Sequence, residues 1–173
     1  MKLTGKNIIC LVEEGFEDLE LWVPVMRLRE EGAHVTLVGT GRATSFVGKH
    51  GVPATPDINA DQVNMSDYDG VLVPGGWAPD KLRRSQAVLD LVRTADQQGK
   101  VIAAICHGGH VLISAGIVKG RKATGTTAIK DDLINAGAEW VDVSAFRDGN
   151  LVWAQVGDDI PNFCRELVQA LSE

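Results

Sequence analysis

The chain has 173 residues, 45% hydrophobic and 23% charged, which suits one globular domain, 1–173, with a sizeable core. Its formal net charge is -6 and no run of Lys or Arg stands out, which argues against nucleic acid and anionic membranes as partners. No stretch has the length and apolarity of a membrane span or a signal core, and the three scattered cysteines, Cys10, Cys106 and Cys164, make no Cys-x-x-Cys pair or disulfide framework, so a reducing cytoplasm is expected.

Asn7 to Val12 reads as a first buried strand, with Cys10 inside it as core. An acidic stretch, Glu13 to Asp18, precedes a helix carrying Leu19, Leu21, Trp22, Val25, Met26 and Leu28 and ending near Gly32. Pro24 predicts a kink or an irregular first turn there. His34 to Val38 is a second strand, and this βαβ opening implies a parallel sheet. Gly39-Thr-Gly41 lacks the third glycine of a dinucleotide fingerprint. Residues 43 to 57, around Gly48-Lys-His-Gly51, suggest a short hairpin appended to the sheet, and Asp61 to Asp67 a turn-rich connection. Gly70 to Pro74 is a third buried strand, running into the turn Gly75-Gly76-Trp77-Ala78-Pro79-Asp80. Residues 85 to 98 form an amphipathic helix closed by Gly99. After the next strand and its helix, a short strand starts at Arg121 to Thr124, and Ile129 to Asn135 is helical. Trp140 to Phe146 and Leu151 to Val156 flank the hairpin signal Arg147-Asp-Gly-Asn150. A last helix starts at Asp158 and Asp159, with Pro161 in its first turn and Cys164 as a structural residue.

The organising stretch is Val101 to His110. The apolar run Val101, Ile102 and Ile105 stops at Cys106, two glycines follow His107, and Val111, Leu112, Ile113 and Ala115 recur at helical spacing. A strand turning sharply into a helix stands Cys106 above the strand tips, the geometry of a nucleophile elbow. The unpaired first amides of the helix predict a thiol pKa lowered from ~8.5 toward ~3.5–7.5. His107 adds an adjacent base, and Gly75 and Gly76 can aim backbone N–H groups into the same crevice. His110, four residues after Cys106, lies on the same helical side and is expected to line the pocket. Cys106, His107 and His110 alone fall short of a supported metal site, so no metal is expected.

Ala104-Ile-Cys-His-Gly108 with Leu112-Ile-Ser-Ala-Gly-Ile-Val-Lys-Gly-Arg-Lys122 resembles the ThiJ/PfpI family, the intracellular protease I group. So do Phe16-Glu-Asp-Leu-Glu20, Gly48-Lys-His-Gly51, Val73-Pro-Gly-Gly76, Ala136-Gly-Ala-Glu-Trp-Val-Asp142 and Asp158-Asp-Ile-Pro161. The resemblance implies a flavodoxin-like three-layer α/β sandwich with a central, mostly parallel sheet, similar to class I glutamine amidotransferases, and cytoplasmic homo-oligomers, dimers to hexamers. Its members are called cysteine peptidases, glyoxalase III-type enzymes, protein deglycases or stress proteins. By position it makes Cys106 the nucleophile, His107 its histidine, Glu17 the acid that hydrogen-bonds the thiol, and Gly75 and Gly76 with the His107 amide the oxyanion site. A carboxyl group beside a thiolate helps only when protonated. In the protease-like branch a carboxylate from a neighbouring subunit orients the histidine; here that position is Asp80, where relatives usually carry Glu, so a closer subunit contact is needed. The family usually continues Cys-His-Gly with Pro and an aromatic or polar residue, where this chain has Gly109 and His110.

These residues lead to the expectation of a cofactor-independent, cysteine-dependent hydrolase acting on small reactive carbonyls. The alternatives are a peptidase acting on small peptides, a redox-sensing stress protein whose signal is oxidation of Cys106, and a chaperone-like holdase.

Overall fold

A computed structural model describes residues 1–173. The first buried run forms β1 (Asn7–Leu11), which leads through α1 (Asp18–Glu30) to β2 (His34–Gly39). A small hairpin, β3 (Phe46–Val47) and β4 (Pro53–Ala54), and the short β5 (Ile58–Asn59) follow. The middle of the chain holds β6 (Gly70–Val73), α2 (Ala78–Leu82), α3 (Gln86–Gln97), β7 (Val101–Ile105) and α4 (Gly109–Ala115). The remainder comprises β8 (Lys122–Ala123), α5 (Lys130–Asn135), β9 (Glu139–Trp140), β10 (Ala145–Asp148), β11 (Leu151–Ala154) and α6 (Ile160–Ser172).

Seven strands make the central sheet in the order β10-β11-β7-β6-β1-β2-β5, parallel throughout except for the β10–β11 hairpin. α1 packs with α6, and α3 packs with α4, giving a helical layer on each face. Covered on both sides, β6 and β7 are buried at every residue, which is why they read as unbroken apolar runs rather than alternating ones. Leu11, Leu72 and Ile105 are fully buried, each contributing about 1.5–3 kcal/mol of hydrophobic stabilisation. The chain leaves β1 toward β2 and returns to β6 on the other side of β1. Such a reversal opens a crevice at the carboxyl ends of the strands.

Several local expectations change in the folded chain. α1 runs through Pro24 without interruption. Pro24 is buried there and removes only the N–H that would have met the Glu20 carbonyl. The β3–β4 hairpin stands apart from the central sheet, and β5 joins its edge instead. The turn after Gly76 continues into α2, with Pro79 in the first turn, where a missing N–H costs nothing. Trp140 belongs to the parallel β8–β9 pair rather than to the strand before the Arg147–Asn150 turn. The Gly39–Arg42 turn serves a buried acid: Glu13, fully buried, accepts from Thr40 Oγ1 (2.5 Å) and from Arg42 Nη2 (2.9 Å) and Nε (3.3 Å). No helix is long and apolar enough to cross a membrane.

Candidate active site

Cys106 follows the last residue of β7 and begins the tight turn that leads into α4. Its φ is +59°, and no other non-glycine residue has a positive φ. That left-handed conformation costs a β-carbon residue of order 1–3 kcal/mol, so the surrounding structure must enforce it. The strain aims the thiol across the strand tips toward the start of α1.

The carboxyl that meets the thiol there is Glu20, not Glu17. Glu20 faces Cys106 closely enough for each to act on the other's titration, accepts the Gly75 N–H at 2.8 Å (Oε2), and is 2% exposed. Glu17, expected in this role, instead caps α1: its Oε2 accepts from Leu19 N and Glu20 N, each at 3.0 Å. Glu17 is the N-cap, outside the helix in extended conformation and turned back onto the first amides, whereas Glu20 lies within the helix on its buried face with Leu21, Pro24, Val25 and Leu28. An acid in a core-facing position was the sequence signal that could have identified it.

Gly75 is also corrected. Its N–H is committed to Glu20, so it anchors the acid rather than an oxyanion. No side chain fits at Gly75, because a Cβ would run into Glu20 Oε2 and come within 2.9 Å of Cys106 Cβ. Gly76, at φ +79°, keeps its N–H free of any protein acceptor. The amide of His107 bonds Cys106. Of the three amides expected to bind an oxyanion, Gly76 is thus the one whose N–H has no protein partner, and the His107 amide faces the sulfur.

The expected drop in the thiol pKa does not appear. Burial and the neighbouring Glu20 carboxylate push Cys106 up to about 12, outweighing the His107 amide and the positive charge of Lys49. Burial, then repulsion from Glu17, raises Glu20 to about 7, against the Gly75 N–H that favours its ionised form. Two acids in contact cannot both ionise cheaply, so they titrate as a pair. When Glu20 holds the proton, the repulsion that suppresses the thiolate is gone and a donating carboxyl faces the sulfur.

His107 Nδ1 lies 3.4 Å from Cys106 Sγ. Burial, with the charges of His110 and Lys49, lowers the pKa of His107 and favours the neutral imidazole. His110 stands edge-on to it, with ring centroids 5.9 Å apart at 60°, and its Nε2 is 3.3 Å from Asp132 Oδ2. Gly76, Trp77, Asp80, Lys81, His107 and His110 line one crevice of about 360 Å³. Asp80 is exposed at its rim and paired with Arg84 (2.8 Å), so within one chain it does not orient His107. Lys49 Nζ lies over the exposed Trp77 ring at 5.1 Å, beside the mouth. The sequence reading missed Lys49, whose only sign was its place in the glycine-flanked hairpin loop.

Glu17, Asp18 and His50 bring possible ligand atoms within 4.8 Å of one another. Both Asp18 oxygens already accept the His50 and Val52 N–H groups at 2.9 Å, and one Glu17 oxygen caps α1. What is left is short of the three or four ligands a divalent ion needs. Cys10 is sealed in β1 with its thiol pKa pushed up by burial, and burial raises Cys164 to about 11.

The profile of the DJ-1/PfpI family matches residues 6–170. Deglycase PH1704 of Pyrococcus horikoshii is 42% identical over 165 residues, covering 95% of this chain and 99% of the relative. General stress protein 18 of Bacillus subtilis is 38% identical over 172 residues, covering 98% of this chain and 99% of the relative. Among solved structures, a two-domain protein with DJ-1/ThiJ/PfpI-like and ferritin-like domains from Anabaena variabilis superimposes with a TM-score of 0.94 at 35% identity. That match covers 96% of this chain, which spans about half of the two-domain protein (48%). The fold expected from the resemblance, a flavodoxin-like α/β sandwich, is the one observed.

Proposed function

The chain belongs to the DJ-1/PfpI family, and from that premise we propose that it is a cysteine-dependent hydrolase of reactive carbonyls, of the glyoxalase III or deglycase kind. The observation that carries this reading is the Cys106–Glu20 contact at a left-handed turn, with the His107 imidazole 3.4 Å from the sulfur. A proton shared between thiol and carboxyl can move as the sulfur attacks, and no cofactor is needed for that step.

With a 2-oxoaldehyde, Cys106 Sγ adds to the aldehyde carbon, and the carbonyl oxygen gains a proton to give a hemithioacetal. Gly76 N–H and the His107 amide face the developing oxyanion. Transfer of the proton on the former aldehyde carbon to the adjacent carbon, with the hydroxyl proton passing to the oxygen of that adjacent carbon, gives a 2-hydroxyacyl thioester. Water then cleaves the C–S bond and frees the thiol. The sum is 2-oxoaldehyde plus water to 2-hydroxy acid, with no external oxidant or reductant. His107, largely neutral, is the base closest to the sulfur.

The deglycase name of a relative covering nearly this whole chain supports the choice of carbonyl substrates over peptides. Loss of methylglyoxal tests it: the wild type consumes it, and Cys106→Ala slows consumption at least about a thousandfold by removing the nucleophile. Equal rates in the two proteins would overturn the reading.

A further inference from the structure

We propose that His110, held by Asp132, is the base that activates water against the Cys106-bound thioester. This rests on the carbonyl-hydrolase reading above and gives its second half a residue. A histidine stands four residues beyond the nucleophile, on the crevice side of α4, in a chain whose His107 is already engaged.

The geometry supplies what a base requires. A carboxylate only accepts hydrogen bonds. With Asp132 Oδ2 at 3.3 Å, His110 Nε2 must therefore carry the proton it donates, which leaves the lone pair on Nδ1. Asp132 comes from α5, a different helix, so it fixes the ring by a contact between elements rather than by local chain geometry. The His110 side chain is 19% exposed, open enough to meet water and covered enough to be held.

The two imidazoles divide the work. His107 Nδ1 is at the sulfur, where proton transfer accompanies attack and release. The His110 ring centre lies 5.9 Å from that of His107, on the wall of the same crevice. Positive charge on His110 disfavours protonation of His107, so a proton taken up by one is not matched on the other. In the step itself, water oxygen bonds the acyl carbon as its proton passes to His110 Nδ1. The C–S bond breaks, sulfur leaves with the electron pair, and the proton returns to the sulfur. Thioester and water become acid and thiol, and His110 ends as it began. Within a single chain this provides a carboxylate-oriented histidine, a pairing that Asp80, tied to Arg84, does not make.

The test separates the two halves of the reaction. Wild type, His110→Ala, His110→Gln and Asp132→Asn are mixed with methylglyoxal. The covalent Cys106 adduct is followed by intact-protein mass spectrometry, and release of the hydroxy acid is followed in parallel. Both His110 variants should still form the adduct, accumulate it, and release product about 100-fold more slowly, a loss well beyond any change in adduct formation. Added imidazole should restore His110→Ala at least about tenfold, a rescue that a purely structural residue would not show, and Asp132→Asn should slow release about tenfold. Wild-type release by either His110 variant overturns the proposal, as does an adduct-formation defect matching the release defect with no imidazole rescue. A wild type that forms no adduct and releases no acid would instead remove the hydrolase reading, and this inference with it.

Discussion

At the amino end of β7, Arg121 Nη1 meets Asp96 at 2.8 Å and its Nη2 meets Asn150. The Asn150 amide donates in turn to Asp96 (3.0 Å) and to the Lys100 carbonyl (2.9 Å). Every member of that network has a partner of complementary kind. At the carboxyl end of the same strand, Glu20 and Cys106 are two acids pressed together, one of them in a strained backbone conformation. The first arrangement joins helix, strands and loop and gains nothing by moving a proton. The second is costly in any single protonation state, and a proton can pass between its members at little further cost. The fold concentrates chemistry where it tolerates frustration, and the satisfied end is part of what makes that tolerable.

Removing the frustration is the sharpest way to break this contrast. The pKa of Glu20, about 7 in the folded protein, lies above its ordinary 4.5, so the folded chain binds more protons than the unfolded one in that window. Its stabilising contribution is complete below about pH 4.5 and is lost as pH rises through about 7, a change of about 3 kcal/mol. Glu20→Gln keeps an acceptor for the Gly75 N–H but cannot ionise. Denaturant unfolding between pH 4.5 and 7.5 should therefore show the variant gaining on the wild type as pH rises. Iodoacetamide titration should place its Cys106 pKa below that of the wild type, because the opposing carboxylate is gone. A flat difference across that range would mean that Glu20 does not hold the extra proton.

Breaking the satisfied end should behave differently. Arg121→Ala takes the cation from Asp96 and the donor from Asn150 Oδ1 and should cost about 2 kcal/mol in denaturant unfolding. The alkylation rate of Cys106 should stay at the wild-type value, since the change lies at the far end of the strand. A changed rate would show that the two ends are mechanically coupled.

The smallest effect sharpens the distinction between the two acids of α1. Glu17→Ala removes a helix cap and should cost about 1 kcal/mol of stability. Losing the Glu17 charge also removes one of the influences that raise Glu20, so the Glu20 titration should move down slightly. If Glu17→Ala instead lowered the thiol pKa as much as Glu20→Gln, the assignment of Glu20 as the partner of Cys106 would fail.

Much of this was legible in the chain. The buried strands announced themselves as apolar runs, because a strand covered on both faces needs no polar residues. The junction at Cys106 was marked by a strand ending at a thiol with glycines behind it. The hairpin at Arg147–Asn150 followed from turn chemistry, and the helix over 85–98 from its apolar spacing and the Gly99 that closes it. Less legible was α2, hidden in a glycine- and proline-rich segment that reads as a turn until its first turn is seen to accept Pro79. The two-residue strands were also hidden, since runs that short leave no periodic signal.

The sequence by itself determined the βα order, the place of Cys106 at a strand tip and the membership of the histidines in its neighbourhood, because all of these are set by residues close together along the chain. Tertiary structure alone decided which acid reaches the sulfur, that the Gly75 amide is spent on that acid, and that Asp132 holds His110. Each of those contacts joins elements far apart in sequence. Glu17 is held locally by the amides it caps, while Glu20 is carried on the buried face of α1 and reaches a thiol some 90 residues away only because α1 is docked on the sheet. The packing of Leu21, Val25 and Leu28 sets that docking, and no residue near Glu20 in the chain can.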